Sequence, residues 1–339
     1  MDESLKQETE KLVRSWMRHD EPFLRDYLVA DVEDPRINVQ SILSRHFVVA
    51  TLFGNRYEEL MLHELRFAAA MNWLVQLTKR SGGEEERAAV LHALNHNGDN
   101  AEGVEIPRFL LQSFASLPAR LGEINIPNYI QEFLSSPDRE PMQQTPDASS
   151  LNCLLELWCV ALVKESPPRL SLLEPACGSA NDYRFLEACG IARLVDYTGF
   201  DLCEKNITNA RDLFPQARFE VGNVFEIGAS DQSFELCFVH DLLEHLSPAG
   251  LERAVEELCR VTRHGLCVNF FQMDEMPEHI IRSVGDYHVN TLSVVKTEAL
   301  LAQHGFAVQP LHIGSYLRCR VGCNETHNPD AYTFLAFRR

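Results

Sequence analysis

The chain has 339 residues, of which 45% are apolar and 24% charged, proportions typical of a folded globular protein. Its 49 acidic and 31 basic side chains give a formal net charge of −18, which repels phosphate backbones, so no nucleic-acid partner is expected. No run of 18 apolar residues occurs and the first residues, MDESLKQETEKL, are acidic and polar, so we expect neither a membrane-spanning helix nor a secretory signal.

The first 140 residues show helical periodicity almost throughout. Apolar side chains recur at three- and four-residue steps from Ile37 to Phe47 and again from Leu60 to Phe67. Further helices are predicted at 84–96, 107–121 and 127–135. Because neither a strand-like alternation nor an internal repeat occurs, we predict an all-helical domain over residues 1–140. Its amphipathic faces would be buried as a lid over the rest of the chain and as an interface in a homodimer.

A linker is predicted at 136–147, where SPDREPMQQTPD contains three prolines and almost no apolar residues. Beyond it, over residues 141–339, short β-rich runs alternate with helical ones, a pattern typical of βα units and a mostly parallel sheet. The first of these helices, at 151–162, is apolar on nearly every side (LNCLLELWCVAL) and is expected to be buried.

A strand, a turn of small residues and a helix start follow one another at 169–182. The run RLSLLE is predicted to be a buried strand, PACGSA is the turn, and Asn181 and Asp182 are residue types that favour a helix N-cap. Small residues let a ligand approach the main chain, and a helix start presents unpaired N–H groups, so we interpret the segment as a cofactor cradle. The second strand, at 194–200, ends at Asp201, where an acid can bind both hydroxyls of a ribose.

The turn lacks the G-x-G-x-x-G of dinucleotide-binding proteins. Residues 174–180, EPACGSA, instead resemble motif I of the class I S-adenosylmethionine-dependent methyltransferases, acid-x-Gly-x-Gly-x-Gly, with the acid and the middle glycine kept and alanine at the outer positions. Segments resembling later parts of that family follow in the family's order: FEVGNV at 219–224, FELCFVH at 234–240, LEHL at 243–246, a helix at 251–262, a fifth strand at 264–270, and closing segments at 288–306 and 331–337. The resemblance spans residues 150–339. It implies an α/β fold with a Rossmann-like, seven-stranded sheet and S-adenosylmethionine as cofactor, whereas residues 1–140 resemble no family we know.

The resemblance places the cofactor at the carboxyl ends of the strands. The residues it implies as cofactor contacts are Glu174, Ala176, Gly178, Ala180, Asp201, Leu202, Asn223, Val224 and His240. Three of them have structural alternatives: Glu174 as a strand cap, Asp201 as a helix N-cap, and Asn223 as a turn former. His245 is expected to be a packing residue on a helix beneath the site.

Two histidines are candidate general bases, since imidazole titrates near neutral pH. His240 ends the fourth strand, and His288 lies in a polar and aromatic segment that covers the substrate in related folds. The resemblance implies in-line displacement of methyl from a sulfonium, for which the protein mainly aligns the reactants. We expect a small-molecule acceptor with an oxygen nucleophile. A sulfur or nitrogen acceptor, a non-catalytic S-adenosylmethionine-binding scaffold and an NAD(P)-dependent oxidoreductase remain open alternatives.

The ten cysteines are too sparse for a disulfide scaffold, and most lie in apolar runs, where a free thiol behaves as a small hydrophobe. We therefore expect a reduced, cytoplasmic protein. Only Cys319, Cys323 and His327 are spaced like metal ligands. Because Gly322 and an Asn-Pro pair interrupt the stretch, we expect a loop there, and because no fourth ligand is evident, no metal site is predicted.

Overall fold

The computed structural model describes residues 2–20, 22–25, 37–79, 100–101, 104–105, 108–109, 149–323, 325–326 and 328–339. The predicted linker, the domain boundary near residue 140 and the helices predicted at 84–96 and 127–135 lie outside these ranges, as does nearly all of the one at 107–121. None of the described helices combines the length and the apolar composition that crossing a membrane requires.

Four longer helices precede the sheet in the part of the chain that the structure describes, and the first two begin at capping residues. They are α1 (Glu3–Trp16), α2 (Val39–Phe53), α3 (Glu58–Lys79) and α4 (Ser149–Leu162). Asp2 caps α1 and Asn38 caps α2, each by accepting hydrogen bonds from main-chain amides of the first turn. Helices α2 and α3 confirm the two periodic segments predicted there, although α2 begins at Val39 rather than at Ile37, and both helices continue past the C-terminal ends of those segments.

The prediction that residues 1–140 are wholly helical is wrong in one place. Asn100–Ala101 and Val104–Glu105 pair as a two-residue antiparallel ladder. A ladder this short leaves no alternating pattern in the sequence, so periodicity could not reveal it.

Seven strands form the main sheet, as predicted. They are β1 (Leu170–Pro175), β2 (Val195–Asp201), β3 (Arg218–Val221), β4 (Phe234–His240), β5 (Thr262–Phe270), β6 (Phe306–His312) and β7 (Tyr332–Arg338). Their order is β6-β7-β5-β4-β1-β2-β3, and every pair is parallel except those made by β7, which runs antiparallel to β5 and β6. The chain leaves β1 in one direction and later returns to its other side at β4, and open α/β sheets bind ligands at such a switch point.

The sheet is covered on both faces. The later helices are α5 (Asn181–Ala188), α6 (Glu204–Leu213), α7 (Pro248–Val261), α8 (Val294–Gln303) and α9 (Ile313–Val321). Helices α2, α4, α5 and α6 contribute to one apolar cluster, and α7 and α8, with Leu5 of α1, contribute to the other. Along β4, Leu236 and Phe238 belong to the first cluster, while Cys237 and Val239 belong to the second. Such continuous burial explains the near-continuous apolar sequence of this strand.

Helix α2 belongs to the layer that covers the sheet. The Gln40 side-chain amide donates to the carbonyl oxygens of Phe270 (3.1 Å) and Tyr332 (2.8 Å), which end β5 and begin β7. Phe47 packs against Gly265 of β5, where an added Cβ would lie 2.7 Å from the Phe47 ring. A side chain at position 265 would therefore push the helix away from the sheet.

Candidate active site

The turn between β1 and α5 alternates between left-handed and ordinary main-chain conformations. Ala176, Gly178 and Ala180 have φ values of 55°, 54° and 67°. These are the three positions that resemble the glycines of motif I, so the glycine-favouring conformation is kept where two glycines are replaced. A left-handed φ destabilises an L-residue by about 1–2 kcal/mol, so the two alanines are strained.

Helix α5 begins directly from this turn. Its N-cap is Ala180, which makes no side-chain capping bond, so the prediction of Asn181 or Asp182 as the cap is wrong. The left-handed φ of Ala180 carries the chain straight into the helix, and both polar residues fall in the first turn instead. Both are buried, and the Oδ1 atom of Asn181 has no hydrogen-bond partner among the described residues. A buried unpaired acceptor beside a turn of small residues fits a ligand that donates a hydrogen bond.

Glu174, next to the last residue of β1, is 3% exposed. Its carboxyl accepts a hydrogen bond of 2.5 Å from the Tyr197 hydroxyl on β2. Burial, and then the charge of Asp182, raise the pKa of Glu174 well above its usual value, although the Tyr197 bond opposes the shift.

Asp201, at the end of β2, joins the turn to the second strand. One carboxylate oxygen accepts from the Gly178 amide at 3.0 Å, and the other accepts from the Cys203 amide at 2.7 Å and from Asn206 at 3.2 Å. Burial raises the pKa of Asp201, and these three bonds offset part of the rise. Helix α6 begins at Glu204 with Cys203 as its N-cap, so Asp201 precedes the cap position. The oxygen that faces Gly178 keeps a lone pair for a further donor.

Asn223, after β3, holds a tight turn. Its Oδ1 accepts from the Phe225 amide at 2.9 Å, and its Nδ2 donates to the Thr9 hydroxyl of α1 at 3.0 Å. The side chain therefore forms the turn that was its structural alternative, and it also contacts α1. Of its neighbours in the predicted set, Leu202 is partly exposed and Val224 is buried.

His240 ends β4 as predicted, with its ring held on both sides. Nε2 lies 2.9 Å from the Ser44 hydroxyl of α2 and 2.8 Å from the Asn269 side-chain amide, and Nδ1 lies 3.5 Å from an Asp182 oxygen. Because the Asn269 Oδ1 accepts from the Thr333 hydroxyl, its amide nitrogen donates to Nε2, and the ring proton of His240 therefore sits on Nδ1, facing Asp182. This arrangement leaves no free lone pair on the ring for a substrate.

His245 lies in a short 3₁₀ turn at Leu243–His245 rather than on an α-helix. Its Nε2 donates to Asp241 at 3.0 Å and its Nδ1 to the carbonyl of His288 at 2.9 Å. Burial lowers the pKa of His245, but the hydrogen bond and the charge of Asp241 outweigh it and raise the pKa to about 9. A protonated His245 thus connects the end of β4 to the loop that carries His288, whose own Nδ1 is buried without a partner among the described residues.

Several side chains at this edge were not found from the sequence. Asp241 directly follows β4 and has a left-handed φ of 47°. Glu244 is buried and accepts from the Phe271 amide at 2.5 Å, and burial raises its pKa to about 7. A charged residue immediately beyond a predicted strand is a usable signal for Asp241, whereas the contact of Ser44 with His240 depends on tertiary packing that the sequence does not display.

The segment at residues 3–19, which we call the strap, crosses the carboxyl edge of the sheet. Glu8 accepts from the Ser247 amide (2.6 Å) and hydroxyl (2.5 Å) before α7. Lys205, at the start of α6, donates to the carbonyl of His19 at 3.0 Å, and Arg18 pairs with Asp286 of the loop after β5 at 2.7 Å. Together with the contact to Asn223, these bonds attach the strap to the segments that follow β2, β3, β4 and β5.

The stretch that contains Cys319, Cys323 and His327 differs in secondary structure from the predicted loop. Cys319 lies on α9, so the predicted loop is wrong at that residue, and the helix ends at Gly322 with a φ of 78°. Cys323 is buried, and His327 lies outside the described residues. Among the residues the structure does describe, no three His, Cys, Asp or Glu side chains are grouped to hold a metal ion.

Comparisons with known proteins match part of the chain to a family model and to solved structures. Residues 172–265, from β1 to the start of β5, match the family model described as a methyltransferase domain. No curated protein matches the chain in sequence. Among solved structures, the chain is similar to an S-adenosylmethionine-dependent methyltransferase from Methanosarcina mazei, with 16% identity over 52% of this chain and 96% of that one and a TM-score of 0.39. It is also similar to such proteins from Mesorhizobium loti (15% identity, 54% and 98% coverage, TM-score 0.38) and Clostridium acetobutylicum (10%, 55% and 90%, 0.37). The family match and the strand order together identify a methyltransferase domain, of which residues 172–265 carry the matched part.

Proposed function

We propose that the protein is an S-adenosylmethionine-dependent methyltransferase that methylates a small-molecule acceptor, with an oxygen atom as the nucleophile. The observation that supports a small acceptor is the strap, because its bonds to Ser247 and Asp286 cover the carboxyl edge where the cofactor turn lies. A macromolecular acceptor would have to displace this helix. In this proposal the described helices before the sheet, α1 above all, serve as a lid.

The cofactor-binding residues belong to the same proposal. They are Glu174, Ala176, Gly178, Ala180, Asp201, Leu202, Asn223, Val224 and His240. The small-residue turn, the buried unpaired Oδ1 of Asn181 and the spare lone pair on Asp201 support the fit of an amino-acid and ribose moiety. Asn223 would face the cofactor while bonded to the strap, so the strap would form part of the cofactor site.

When bound, S-adenosylmethionine supplies a methyl group already activated on sulfonium. The chain's residues then have to orient the acceptor, exclude water and receive its proton. Of the two predicted bases, His288 has the ring nitrogen without a partner among the described residues, whereas the ring of His240 is engaged by Ser44, Asn269 and Asp182. We therefore assign proton acceptance to His288 first and a positioning role to His240.

Calorimetric titration of S-adenosylmethionine tests the cofactor assignment. Asp201→Ala should weaken binding by about 1.5–3 kcal/mol, the usual loss for a hydrogen bond to a charged group, or roughly 10- to 150-fold in Kd. Asp196→Ala is the matched control, because Asp196 lies on the same strand but is exposed and, among the residues that the structure describes, pairs only with Arg169. An unchanged Kd in Asp201→Ala, with wild-type circular dichroism, would refute the assignment.

Release of S-adenosylhomocysteine during incubation with panels of small alcohols, phenols, thiols and amines tests the acceptor class. Product formation with hydroxyl compounds supports the proposal, and turnover confined to thiols or amines replaces the oxygen acceptor with sulfur or nitrogen. Cofactor binding without turnover on any panel, or on a metabolite extract, indicates the scaffold alternative.

A further inference from the structure

Glu174 and Tyr197 form a buried pair in the first two strands. The hydroxyl-to-carboxyl distance is 2.5 Å, and neither residue is more than 7% exposed. Gly199 provides the space for this contact, because a Cβ at that position would lie 2.6 Å from the Tyr197 oxygen. The sheet is therefore built to bring this hydroxyl to the acid beside the cofactor turn.

The surroundings of Glu174 are acidic. The other groups that act on it are the carboxyls of Asp182 on α5 and Asp201 on β2. Glu174 in turn raises the pKa of the thiols of Cys177 in the turn and Cys237 on β4, after the larger effect of their burial. In the part of the chain that the structure describes, no lysine, arginine or histidine forms an ion pair with Glu174. A buried carboxylate needs an opposite charge or several hydrogen bonds, whereas Glu174 accepts one hydrogen bond, from Tyr197, among the described residues.

One part of the cofactor carries the positive charge that Glu174 lacks as a partner in the described part of the chain. S-adenosylmethionine carries an α-ammonium group on its amino-acid tail, and so does S-adenosylhomocysteine, whereas 5′-methylthioadenosine lacks the tail. An ammonium group within a few ångströms favours the ionised form of a neighbouring acid. The three compounds therefore separate the effect of the tail from that of the nucleoside.

We propose that Glu174 holds a proton in the cofactor-free enzyme and loses it to solvent when the cofactor's ammonium group binds beside it, with Tyr197 positioning the carboxyl. This inference rests on the proposed cofactor role of Glu174. One proton leaves the carboxyl oxygen as one ammonium enters, so the net charge around Glu174 is unchanged by binding. Cofactor affinity then falls as the pH is lowered, because binding releases a proton and a higher proton concentration opposes that release.

Calorimetry in two buffers of different ionisation enthalpy counts the protons released. With the pH scanned, the wild-type enzyme should release close to one proton on binding S-adenosylhomocysteine wherever Glu174 is protonated in the free enzyme, and none at any pH on binding 5′-methylthioadenosine. The Kd for S-adenosylhomocysteine should rise up to about tenfold for each pH unit below the titration of Glu174. Equal proton release for the two ligands, or none for either, overturns the inference.

Two variants locate the proton, and a third serves as control. Glu174→Gln should bind S-adenosylhomocysteine without proton release or pH dependence. Tyr197→Phe removes a bond that favours the carboxylate, so the fall in affinity should begin at a higher pH. Tyr183→Phe, whose ring packs 4.6 Å from that of Tyr197 but which does not bond Glu174, should match wild type.

The outcomes separate the two proposals. Unchanged affinity for 5′-methylthioadenosine shows that a variant has kept its fold. If Glu174→Gln still releases one proton, the inference is wrong while the cofactor assignment stands. If wild type binds neither S-adenosylmethionine nor S-adenosylhomocysteine, the proposed function itself fails.

Discussion

Replacing Ala176 with glycine should stabilise the fold, although the substitution removes a side chain. The φ of 55° at this position destabilises alanine by about 1–2 kcal/mol, and glycine has no such penalty. Glycine also makes the unfolded chain more flexible, which offsets about 0.4–1 kcal/mol of the gain. Because Ala176 is partly exposed, its methyl contributes little burial, and the net gain should be about 0.5–1 kcal/mol.

Ala180 should respond differently, although its φ is 67°. It is fully buried in the apolar cluster under α5, so glycine there also loses the burial of one methyl, about 0.8 kcal/mol. The gain and the losses should nearly cancel. Ala299→Gly is the control and should change the free energy of unfolding in the opposite direction. Ala299 is exposed within α8, and glycine in a helix interior destabilises by about 1 kcal/mol.

Urea denaturation with linear extrapolation measures all three changes on one scale. A variant is compared with wild type only if the two have the same m-value. A changed compactness of the unfolded state is then not mistaken for a change in the free energy of unfolding. If Ala176→Gly destabilises the enzyme as much as Ala299→Gly does, left-handed strain does not determine the stability of this turn.

The remaining predictions concern the edge of the sheet. His245→Gln should lower the free energy of unfolding by about 1–2 kcal/mol below pH 6.5, a value reduced for solvent screening because the His245 side chain is one-third exposed. This loss should vanish as the pH rises through about 9, where wild-type His245 loses its proton. A loss in urea midpoint that does not change with pH would contradict this prediction. Glu8→Ala should speed the dissociation of S-adenosylhomocysteine by about 3- to 10-fold in stopped-flow fluorescence, whereas Glu10→Ala, exposed on the same helix, should not. On an identified hydroxyl substrate, His288→Asn should lower kcat by roughly 10²–10⁴ at nearly unchanged cofactor affinity, and full kcat in both His288→Asn and His240→Asn would exclude both as the base.

The sequence predicts the sheet well because buried strands and turns of small residues leave local signals. The β-rich runs, the turn EPACGSA and Asp201 could all be read in order, and each lies at the predicted end of its strand. The predicted start of the helix lies one or two residues too late, because propensity favours Asn181 or Asp182 as the cap, whereas the left-handed φ of Ala180 places the cap there.

Contacts between distant segments could not be predicted. Ser44 meets His240 across 196 positions of sequence, and Thr9 meets Asn223 across 214. Neither residue stands out from an ordinary amphipathic helix, so periodicity shows that a helix must be buried but not against which strand. For the same reason the engaged ring of His240 was not foreseen.

The attachment of α2 to β5 and β7 determines where the enzyme could be divided experimentally. A fragment beginning at residue 141 would leave the carbonyls of Phe270 and Tyr332 without the donor they share, and would open an apolar groove along Gly265. Exposed strand ends beside such a groove invite intermolecular pairing, so this fragment should aggregate on expression. A fragment that folds on its own should therefore extend upstream to include α2. A fusion protein or two-hybrid bait that omitted this helix would leave β5 and β7 without its contacts.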